Sequence, residues 1–324
     1  MSETRTGFKT RVAGPVREQP HRVLGQVRSS RVWPCAPGGA PRSRPPACGF
    51  ETSCRLSFVI PARNEEALIG EALEAILASV ARASGLSRND LWLPDTSFEV
   101  IVADDSSEDA TAAIVGRVAD EFGVRLAPCV GGTCAAARNA GAAAASGRVL
   151  CFVDADTIVP ENAVERILEL HESDGRCLVL YRLVSREPGI RAWLWWSFWG
   201  LARGLPLARA KSMPAFMSCT RTHFENYGPF NECWSIAEEW PLTGAAYRYH
   251  RERFLYDRSL TARTSSRRME LQPFGYVRTF LKWASVVLFP WARTSLTDRI
   301  RHRSICVASH ASGAGSEGPP RASV

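Results

Sequence analysis

Two aspartates separated by one residue follow a short apolar run, and their spacing suggests metal or phosphate chemistry. The segment is CFVDADTIVP, in which Asp154 and Asp156 come after Cys151, Phe152 and Val153. Carboxylate oxygens are preferred ligands of Mg²⁺ and Mn²⁺, and Mg²⁺ usually completes its shell with water and substrate phosphates. The pair therefore predicts a site for a divalent cation and a diphosphate, with an Asx turn or a solvated loop as the alternative.

Two further polar clusters follow apolar runs earlier in the chain. PARNE comes after LSFVI, and Asp104 and Asp105 come after FEVIVA. A stretch with helical spacing follows each of these clusters, so strands alternate with helices. This alternation predicts a parallel sheet whose strands have their carboxyl ends at one edge, where ligands bind. The three polar clusters are therefore expected to converge at that edge.

A pair of glycines precedes the helix that follows the third strand. GGTCAAARNAGAAAASG places Gly131 and Gly132 before an alanine-rich helix that carries Arg138. The N-terminus of this helix is a candidate site for an anionic group, because its first amides have no partner within the helix. The alternative is packing, in which small residues bring the helix close to the sheet and Arg138 supports Asp154.

The positive charge of the chain is confined to one end. The formal charge of +7 falls on residues 1–50, where nine Lys and Arg residues face two acids, and the remaining chain is formally neutral. A basic surface for nucleic acid is therefore not predicted. Ten cysteines occur without a CxxC pair, which favours free thiols and a cytoplasmic location.

Two aromatic stretches lie in the second half of the chain. IRAWLWWSFWGLARGLPL covers residues 190–207, and FLKWASVVLFPW covers residues 280–291. Both are too short, or too interrupted by Arg and Gly, to span a bilayer, which needs about 20 apolar residues. They are predicted either to lie in a membrane interface or to form core helices or the wall of an acceptor pocket.

Four segments together resemble the nucleotide-binding half of family 2 glycosyltransferases with the GT-A fold. They are FVIPARNEE, VIVADDSSEDAT, GGTCAAARNAGAAAASG and VLCFVDADTIVP, and the resemblance covers about residues 55–265. It implies an α/β fold with a Rossmann-like, mostly parallel sheet flanked by helices, and a helical C-terminal extension. It also implies sugar transfer from a nucleotide-sugar donor, a UDP- or GDP-sugar, with inversion and with Mg²⁺ or Mn²⁺.

The resemblance assigns donor-binding roles to residues at the first two strand ends. Pro61, Ala62 and Glu65 are expected to border the nucleotide base and ribose. Asp104 is expected to hydrogen-bond the edge of the base, with Asp105 beside it in the donor site.

Further donor roles fall on the third strand end and the helix before it. Asp156 is expected to ligate the metal that bridges the diphosphate. Asp154 is expected to complete the metal site or to meet the ribose, and Arg138 is expected to support this arrangement.

The second half of the chain supplies the expected base and two arginines. Glu238 and Glu239 take the place of the family's ED motif, so Glu239 is the expected catalytic base and Glu238 a substrate-binding residue. The alternative for this pair is a charged first turn of a helix. Arg267 and Arg268, in RTSSRR, are expected to stabilise the leaving diphosphate, with a solvated basic turn as the alternative.

The sequence thus predicts one folded domain between two tails. The predicted parts are a disordered basic tail at 1–53, a glycosyltransferase domain at 54–268 with its donor half at 54–160 and acceptor half at 161–268, amphipathic helices at 269–303, and a disordered tail at 304–324. A lipid-linked or glycan acceptor is expected, with a location in the cytoplasm or peripherally on the cytoplasmic face of a membrane. A nucleotidyltransferase, or a non-catalytic nucleotide-binding member of the same fold, is the alternative.

Overall fold

The computed structural model describes residues 53–206, 211, 214–234, 236–272 and 274–288. The predicted tail at 1–53, apart from its last residue, lies outside these residues, and so does the predicted tail at 304–324. The part of the predicted C-terminal helices that follows Leu288 also lies outside them.

Eight strands of the described chain form one mixed sheet. The strands are β1 (Leu56–Ala62), β2 (Phe98–Asp104), β3 (Arg125–Pro128), β4 (Val149–Val153), β5 (Thr157–Ile158), β6 (Leu178–Ser185), β7 (Phe216–Thr220) and β8 (Phe254–Thr264). Their order across the sheet is β3-β2-β1-β4-β7-β6-β8-β5. The first four are parallel, as predicted. β7 is antiparallel to both of its neighbours and β5 is antiparallel to β8, so the sheet is mixed beyond β4.

Helices flank this sheet, which confirms the predicted α/β architecture. The helices are α1 (Ile69–Ser84), α2 (Thr111–Phe122), α3 (Cys134–Ala144), α4 (Ala163–Leu168), α5 (Ile190–Gly204), α6 (Arg221–Tyr227), α7 (Trp240–Tyr249), α8 (Arg267–Glu270) and α9 (Gly275–Leu288). Gly123 follows the last residue of α2, and its φ of 75° is the left-handed conformation that suits a glycine cap. None of the helices described here is long and apolar enough to span a bilayer.

The polar cluster PARNE lies at the strand end and in a loop, and α1 begins later than the sequence pattern indicates. Asn64 adopts a left-handed φ of 53°, which turns the chain after β1. The carbonyl of Glu65 then accepts hydrogen bonds from the amides of Leu68 and Ile69, at 3.0 and 2.9 Å. This turn holds Glu65 at the edge of the sheet, so its side chain is available to the site and does not belong to the helix.

Apolar side chains cover both faces of the sheet. Helices α1, α2 and α4 contribute to a buried cluster on one face, and α3, α6 and α7 contribute to a cluster on the other. On the second face, the ring of Phe152 lies 5.7 Å from that of Phe224 and 4.8 Å from that of Phe230. A Cβ atom at Gly141 would lie 2.4 Å from Cγ1 of Val59, so α3 approaches β1 too closely for a larger residue.

Candidate active site

The carboxyl ends of β1, β2 and β4 meet at one edge of the sheet, as the strand order requires. Ala62, the last residue of β1, pairs with Asp104, the last residue of β2. β4 is the parallel neighbour of β1 on its other side and ends at Val153, so Asp154 is the first residue beyond it. Pro61 and Ala62 are buried at this edge. The convergence predicted for the three polar clusters is therefore confirmed.

The neighbouring aspartates after β2 have different partners. The Asp104 carboxylate is half-buried and accepts hydrogen bonds from the amide and the hydroxyl of Ser107. The Asp105 carboxylate is buried and accepts hydrogen bonds from the amides of Gly131 and Gly132, at 3.0 and 2.9 Å. Asp105 thus supplies the negative charge next to the start of α3. This contact favours the packing interpretation of the glycine pair, because both amides already have an acceptor within the chain.

Arg138 is the buried centre of the site. It lies on α3, and only 2% of its surface is exposed. Its Nη2 donates to Oδ1 of Asp154 at 2.6 Å, and its Nη1 donates to Oε1 of Glu238 at 2.9 Å. Burial disfavours the charged form, but the nearby Cys134, Asp154 and Glu238 outweigh it and raise the pKa of Arg138. One guanidinium therefore connects the end of β4 with the loop before α7.

Asp156 lies against β8. Its Oδ1 accepts hydrogen bonds from the hydroxyls of Thr264, at 3.2 Å, and Thr157, at 3.4 Å. Thr157 and Thr264 also pair in the register of β5 and β8, which fixes the backbone on both sides of the carboxylate. Asp154 is thus bonded to Arg138, whereas Asp156 is held by the two threonine hydroxyls.

Two half-buried carboxylates at an open strand edge fit a divalent cation that shares its shell with a ligand. Mg²⁺ is commonly bound by one or two carboxylates together with water and substrate phosphates, and not by a complete cage of side chains. Within the described residues, no group of three or more His, Cys, Asp or Glu side chains is arranged to hold a metal ion. A cation at Asp154 and Asp156 would therefore depend on phosphate oxygens for further ligands.

The two glutamates before α7 occupy different environments. Glu238 has 14% of its side chain exposed and is held by Arg138. Glu239 is fully buried, and its backbone carbonyl accepts hydrogen bonds from the amides of Leu242 and Thr243 in the first turn of α7. Its carboxylate interacts electrostatically with the buried Arg203 of α5. Each glutamate thus interacts with an arginine, Glu238 with Arg138 of α3 and Glu239 with Arg203 of α5.

Arg267 reaches Glu65, at the edge where β1 ends, from the far end of the chain. It forms an ion pair with Glu65, whose side chain is only 4% exposed, whereas 29% of the Arg267 side chain is exposed. The amide of Glu65 donates to Oγ1 of Thr111 at 2.8 Å, which fixes the loop that carries this pair. The prediction for Arg268 concerns a side chain that lies outside the described part of the structure.

A carboxylate that the sequence analysis missed organises the segment before Arg267. Glu187 accepts hydrogen bonds from the hydroxyl of Ser265 and the amide of Ser266, each at 2.6 Å. Burial alone would raise the pKa of Glu187, but these hydrogen bonds and one from Ser185 lower it. Nε1 of Trp196 donates to the Ser266 hydroxyl at 3.0 Å, which connects α5 to the same segment. No local motif marks Glu187, since its role depends on residues almost eighty positions later.

The two aromatic stretches pack against each other through α5 and α9. Three ring pairs join the helices, with centroid distances of 5.3 to 5.8 Å: Trp195–Tyr276, Phe198–Phe280 and Trp199–Trp283. Many apolar side chains of the two helices and their flanks nevertheless stay exposed, including those of Phe198 and Phe280. We call these exposed residues the α5–α9 surface: Ile190, Trp193, Leu194, Phe198, Leu201, Val277, Phe280 and Leu281. The stretches are thus neither fully buried core helices nor separate elements.

Comparison with known proteins identifies one family over half of the chain. The family model described as glycosyl transferase family 2 matches residues 57–224. The probable glycosyltransferase YdaM of Bacillus subtilis is 30% identical over 115 residues, which are 34% of this chain and 24% of that protein. A validoxylamine A glucosyltransferase of Streptomyces hygroscopicus subsp. limoneus is 32% identical over 118 residues, 36% of this chain and 23% of that protein. The match thus spans about a quarter of the length of these curated relatives.

Two solved structures with a similar chain course have low sequence identity to this chain. S. aureus TarS is 17% identical with a TM-score of 0.49, over 75% of this chain and 40% of that chain. Glucosyl-3-phosphoglycerate synthase from Mycobacterium tuberculosis, in complex with phosphoglyceric acid, is 21% identical with a TM-score of 0.49, over 71% of this chain and 80% of that chain.

Proposed function

The chain belongs to glycosyltransferase family 2, and we propose that it transfers a sugar from a UDP- or GDP-sugar to an acceptor hydroxyl, with inversion at the anomeric carbon. The acceptor oxygen bonds to the anomeric carbon while the bond to the leaving nucleoside diphosphate breaks, and a base takes the hydroxyl proton. The contact that carries this proposal is Arg138, which joins Asp154 to Glu238. Sugar transfer requires the residues that bind the donor to lie close to the residues that bind the acceptor. The Arg138 guanidinium holds Asp154 and Glu238 close together in this way.

The donor is proposed to bind along the edge formed by β1, β2 and β4. Pro61, Ala62 and Glu65 would border the base and ribose, and Asp104 would accept a hydrogen bond from the base. Asp105 would order the neighbouring glycine turn through its bonds to the Gly131 and Gly132 amides.

The diphosphate is proposed to bind between the two aspartates and Arg267. Asp156, with Asp154, would hold Mg²⁺ or Mn²⁺, which when bound would neutralise the charge of the diphosphate. Arg267 is anchored by Glu65 and remains partly exposed, so its guanidinium can donate to phosphate oxygens as the leaving group gains negative charge. Arg268 is proposed to share this role.

Glu239 is proposed as the base that removes the acceptor proton. The Glu238 carboxylate is bonded to Arg138 and is therefore suited to hold that arginine in place. Glu239 lies next to α5 and the aromatic residues of the acceptor half, where an acceptor hydroxyl would approach. Its complete burial requires that the acceptor enter by separating side chains around α7.

Exchanging the two glutamates for glutamine separates these roles. Glu239→Gln should lower kcat by about a hundredfold or more, because a general base typically contributes that factor. Glu238→Gln should instead raise KM for the donor, since it loosens Arg138. Steady-state kinetics on both variants measures the difference. Unchanged kcat in Glu239→Gln, or a larger loss of kcat in Glu238→Gln, would contradict the assignment.

A screen of UDP- and GDP-sugars with Mn²⁺ tests the proposed reaction. We expect one donor to be hydrolysed slowly without acceptor and consumed faster with a suitable lipid-linked or glycan acceptor. Donor binding without turnover across a broad acceptor panel would favour the non-catalytic alternative. Absence of nucleotide binding in calorimetry would reject the proposal. We do not propose a nucleotidyltransferase, because the chain belongs to glycosyltransferase family 2.

Peripheral contact with the cytoplasmic face of a membrane is proposed for the α5–α9 surface. Trp193 is 62% exposed and Leu281 is 60% exposed, although both are large apolar side chains. Neither α5 nor α9 contains an acidic residue, and exposed cations accompany the apolar residues at Arg191, Arg278 and Lys282. An apolar face with cations at its border suits a bilayer that contains anionic lipid. The cytoplasmic location is supported by the free thiols of Cys151 and Cys219, which are buried in the sheet.

Vesicle binding checks the membrane proposal. The protein should sediment with vesicles that contain phosphatidylglycerol, and Trp193→Ser combined with Leu281→Ser should weaken binding at least about tenfold, because each buried side chain contributes about 1.5–3 kcal/mol. Leu86→Ser is the matched control, since Leu86 is exposed but lies outside the α5–α9 surface. Equal binding by the double variant and the control would contradict the proposal.

A further inference from the structure

A cleft away from the acids of the proposed donor edge is lined by cations. It has a volume of about 310 Å³ and lies beside the end of α5 and the start of β8. Four basic residues line it, Arg203, Lys211, Arg251 and Arg258, and none of the described residues that line it is acidic. Arg203 and Lys211 are buried, whereas Arg251 and Arg258 are exposed at the mouth of the cleft. A buried cation surrounded by like charges is costly unless an opposite charge offsets it.

Aromatic rings and backbone carbonyls hold these cations in fixed positions. Lys211 is only 5% exposed and donates to the carbonyl oxygens of Arg203 and Leu205. Nζ of Lys211 lies 5.5 Å from the ring centre of Tyr247, and Cζ of Arg251 lies 5.0 Å from it. These contacts orient the cations without neutralising them, because neither a ring nor a carbonyl carries a full negative charge.

A second ring holds the remaining pair of cations. Cζ of Arg203 lies 6.0 Å from the ring centre of Tyr256, and Cζ of Arg258 lies 5.6 Å from it. A Cβ atom at Gly204 would lie 2.5 Å from Nη2 of Arg258, so the glycine lets this guanidinium lie directly against the end of α5. All four cations are therefore directed to one small volume.

The electrostatic balance of the cleft is positive. Burial lowers the pKa of Lys211, and the charges of Arg251, Arg258 and Arg203 lower it further. Burial also lowers the pKa of Arg203 to about 10, although Tyr256 and Glu239 oppose that change. Glu239 thus offsets part of the charge of Arg203 from outside the cleft, and the other three cations remain to attract an anion.

The sheet register separates this cleft from the donor edge. Tyr256 pairs with Leu180, whereas Thr264, which contacts Asp156, pairs with Ser185. Leu180 and Ser185 are five positions apart on β6, which corresponds to roughly 16 Å at about 3.3 Å per residue. A diphosphate bound at Asp156 therefore does not reach the cleft.

We propose that this cleft is a second anion site, which binds a phosphate group through Arg203, Lys211, Arg251 and Arg258. Guanidinium groups match phosphate oxygens with paired hydrogen bonds, and a lysine adds a point charge. The phosphate group belongs either to a free ion or to the polar head of an amphiphile, whose chain would lie along the exposed Leu201 and Leu205 of the neighbouring helix end. The site does not depend on sugar transfer and can be tested without it.

Calorimetry with inorganic phosphate and with octyl phosphate tests the site. Wild-type protein should bind, and a variant with Arg251→Gln and Arg258→Gln should bind at least tenfold more weakly. Arg248→Gln is the matched control, because Arg248 is an exposed arginine of α7 outside the cleft. Tighter binding of octyl phosphate identifies an amphiphile head and equal binding a free ion, and both support the site. No binding by wild type, or equal binding by the double variant, overturns it.

Thermal unfolding without phosphate gives a second measurement. If the cations form an anion site, they repel one another when no anion is bound. Removing two of them should then relieve this repulsion, and the double variant should unfold at the same temperature as wild type or higher. A lower unfolding temperature for the double variant than for Arg248→Gln would show that the arginines serve packing, and would count against the site.

Discussion

Replacing Arg138 with methionine should destabilise the protein by about 3 kcal/mol and abolish sugar transfer. Methionine fills a similar volume but leaves Asp154 and Glu238 without their shared cation, and breaking a buried pair typically costs about 3–5 kcal/mol. We expect the lower end of that range because the Asp154 side chain is 30% exposed and water can reach it. Denaturant unfolding measures the stability, and the nucleotide-sugar assay measures transfer.

Arg148→Met is the matched control for this experiment. Arg148 also bonds to a carboxylate, Glu172 at 3.0 Å, but its side chain is 62% exposed. Exposed pairs contribute only about 0–1 kcal/mol, so Arg148→Met should stay near wild type. A double variant with Arg138→Met and Glu238→Gln should recover part of the stability, because one of the uncompensated charges is then absent. Similar losses in Arg138→Met and Arg148→Met would contradict the central role of Arg138.

Asp156→Asn should lower kcat/KM by about a thousandfold while leaving the fold intact. Asparagine keeps an oxygen that accepts the hydrogen bond from Thr264, but it lacks the charge that binds a hard cation. Losing one group that stabilises developing negative charge commonly costs about a hundredfold to a thousandfold, and loss of a cation adds to this. Unfolding free energy should therefore change little, which separates this variant from Arg138→Met.

Nucleotide binding gives a measurement for Asp156 that does not depend on turnover. Mn²⁺ should tighten UDP or GDP binding to wild type in calorimetry and should not do so for Asp156→Asn. Asp120→Asn is the control, since Asp120 is an exposed acid on α2 far along the chain from the strand end. Full activity in Asp156→Asn, or an equal effect of Mn²⁺ on both variants, would reject Asp156 as the metal ligand.

The first half of the sheet could be predicted because its strands are continuous apolar runs. β1 and β4 are buried along their whole length, which is the pattern of parallel strands covered on both faces. β7 and β8 were not predicted. β7 is only five residues long and contains Ser218 and Thr220. The register of β8 shifts after Asp257, so that Arg182 pairs with Thr261, and this bulge interrupts the alternation that marks a strand.

In the candidate site, too, features that depend on adjacent residues could be predicted, and features that depend on distant residues could not. The position of Asp154 and Asp156 at a strand end follows from residues beside them in sequence. The ion pair between Glu65 and Arg267 joins residues 202 positions apart, so no local pattern contains it. The burial of Glu239 also depends on tertiary packing. Its charge suggests an exposed helix start, whereas the structure encloses it completely.

The late position of β7 in the chain has a consequence for synthesis on the ribosome. β4 is complete at Val153, but the strand that pairs with its second edge begins only at Phe216. A nascent chain therefore carries β4 with unpaired amides and carbonyls along one side until Thr220 has emerged. All five residues of β4 are buried in the finished fold, and an apolar open edge of this kind pairs readily with other chains. Translation between these two strands is thus an interval in which the unfinished protein is open to misassembly.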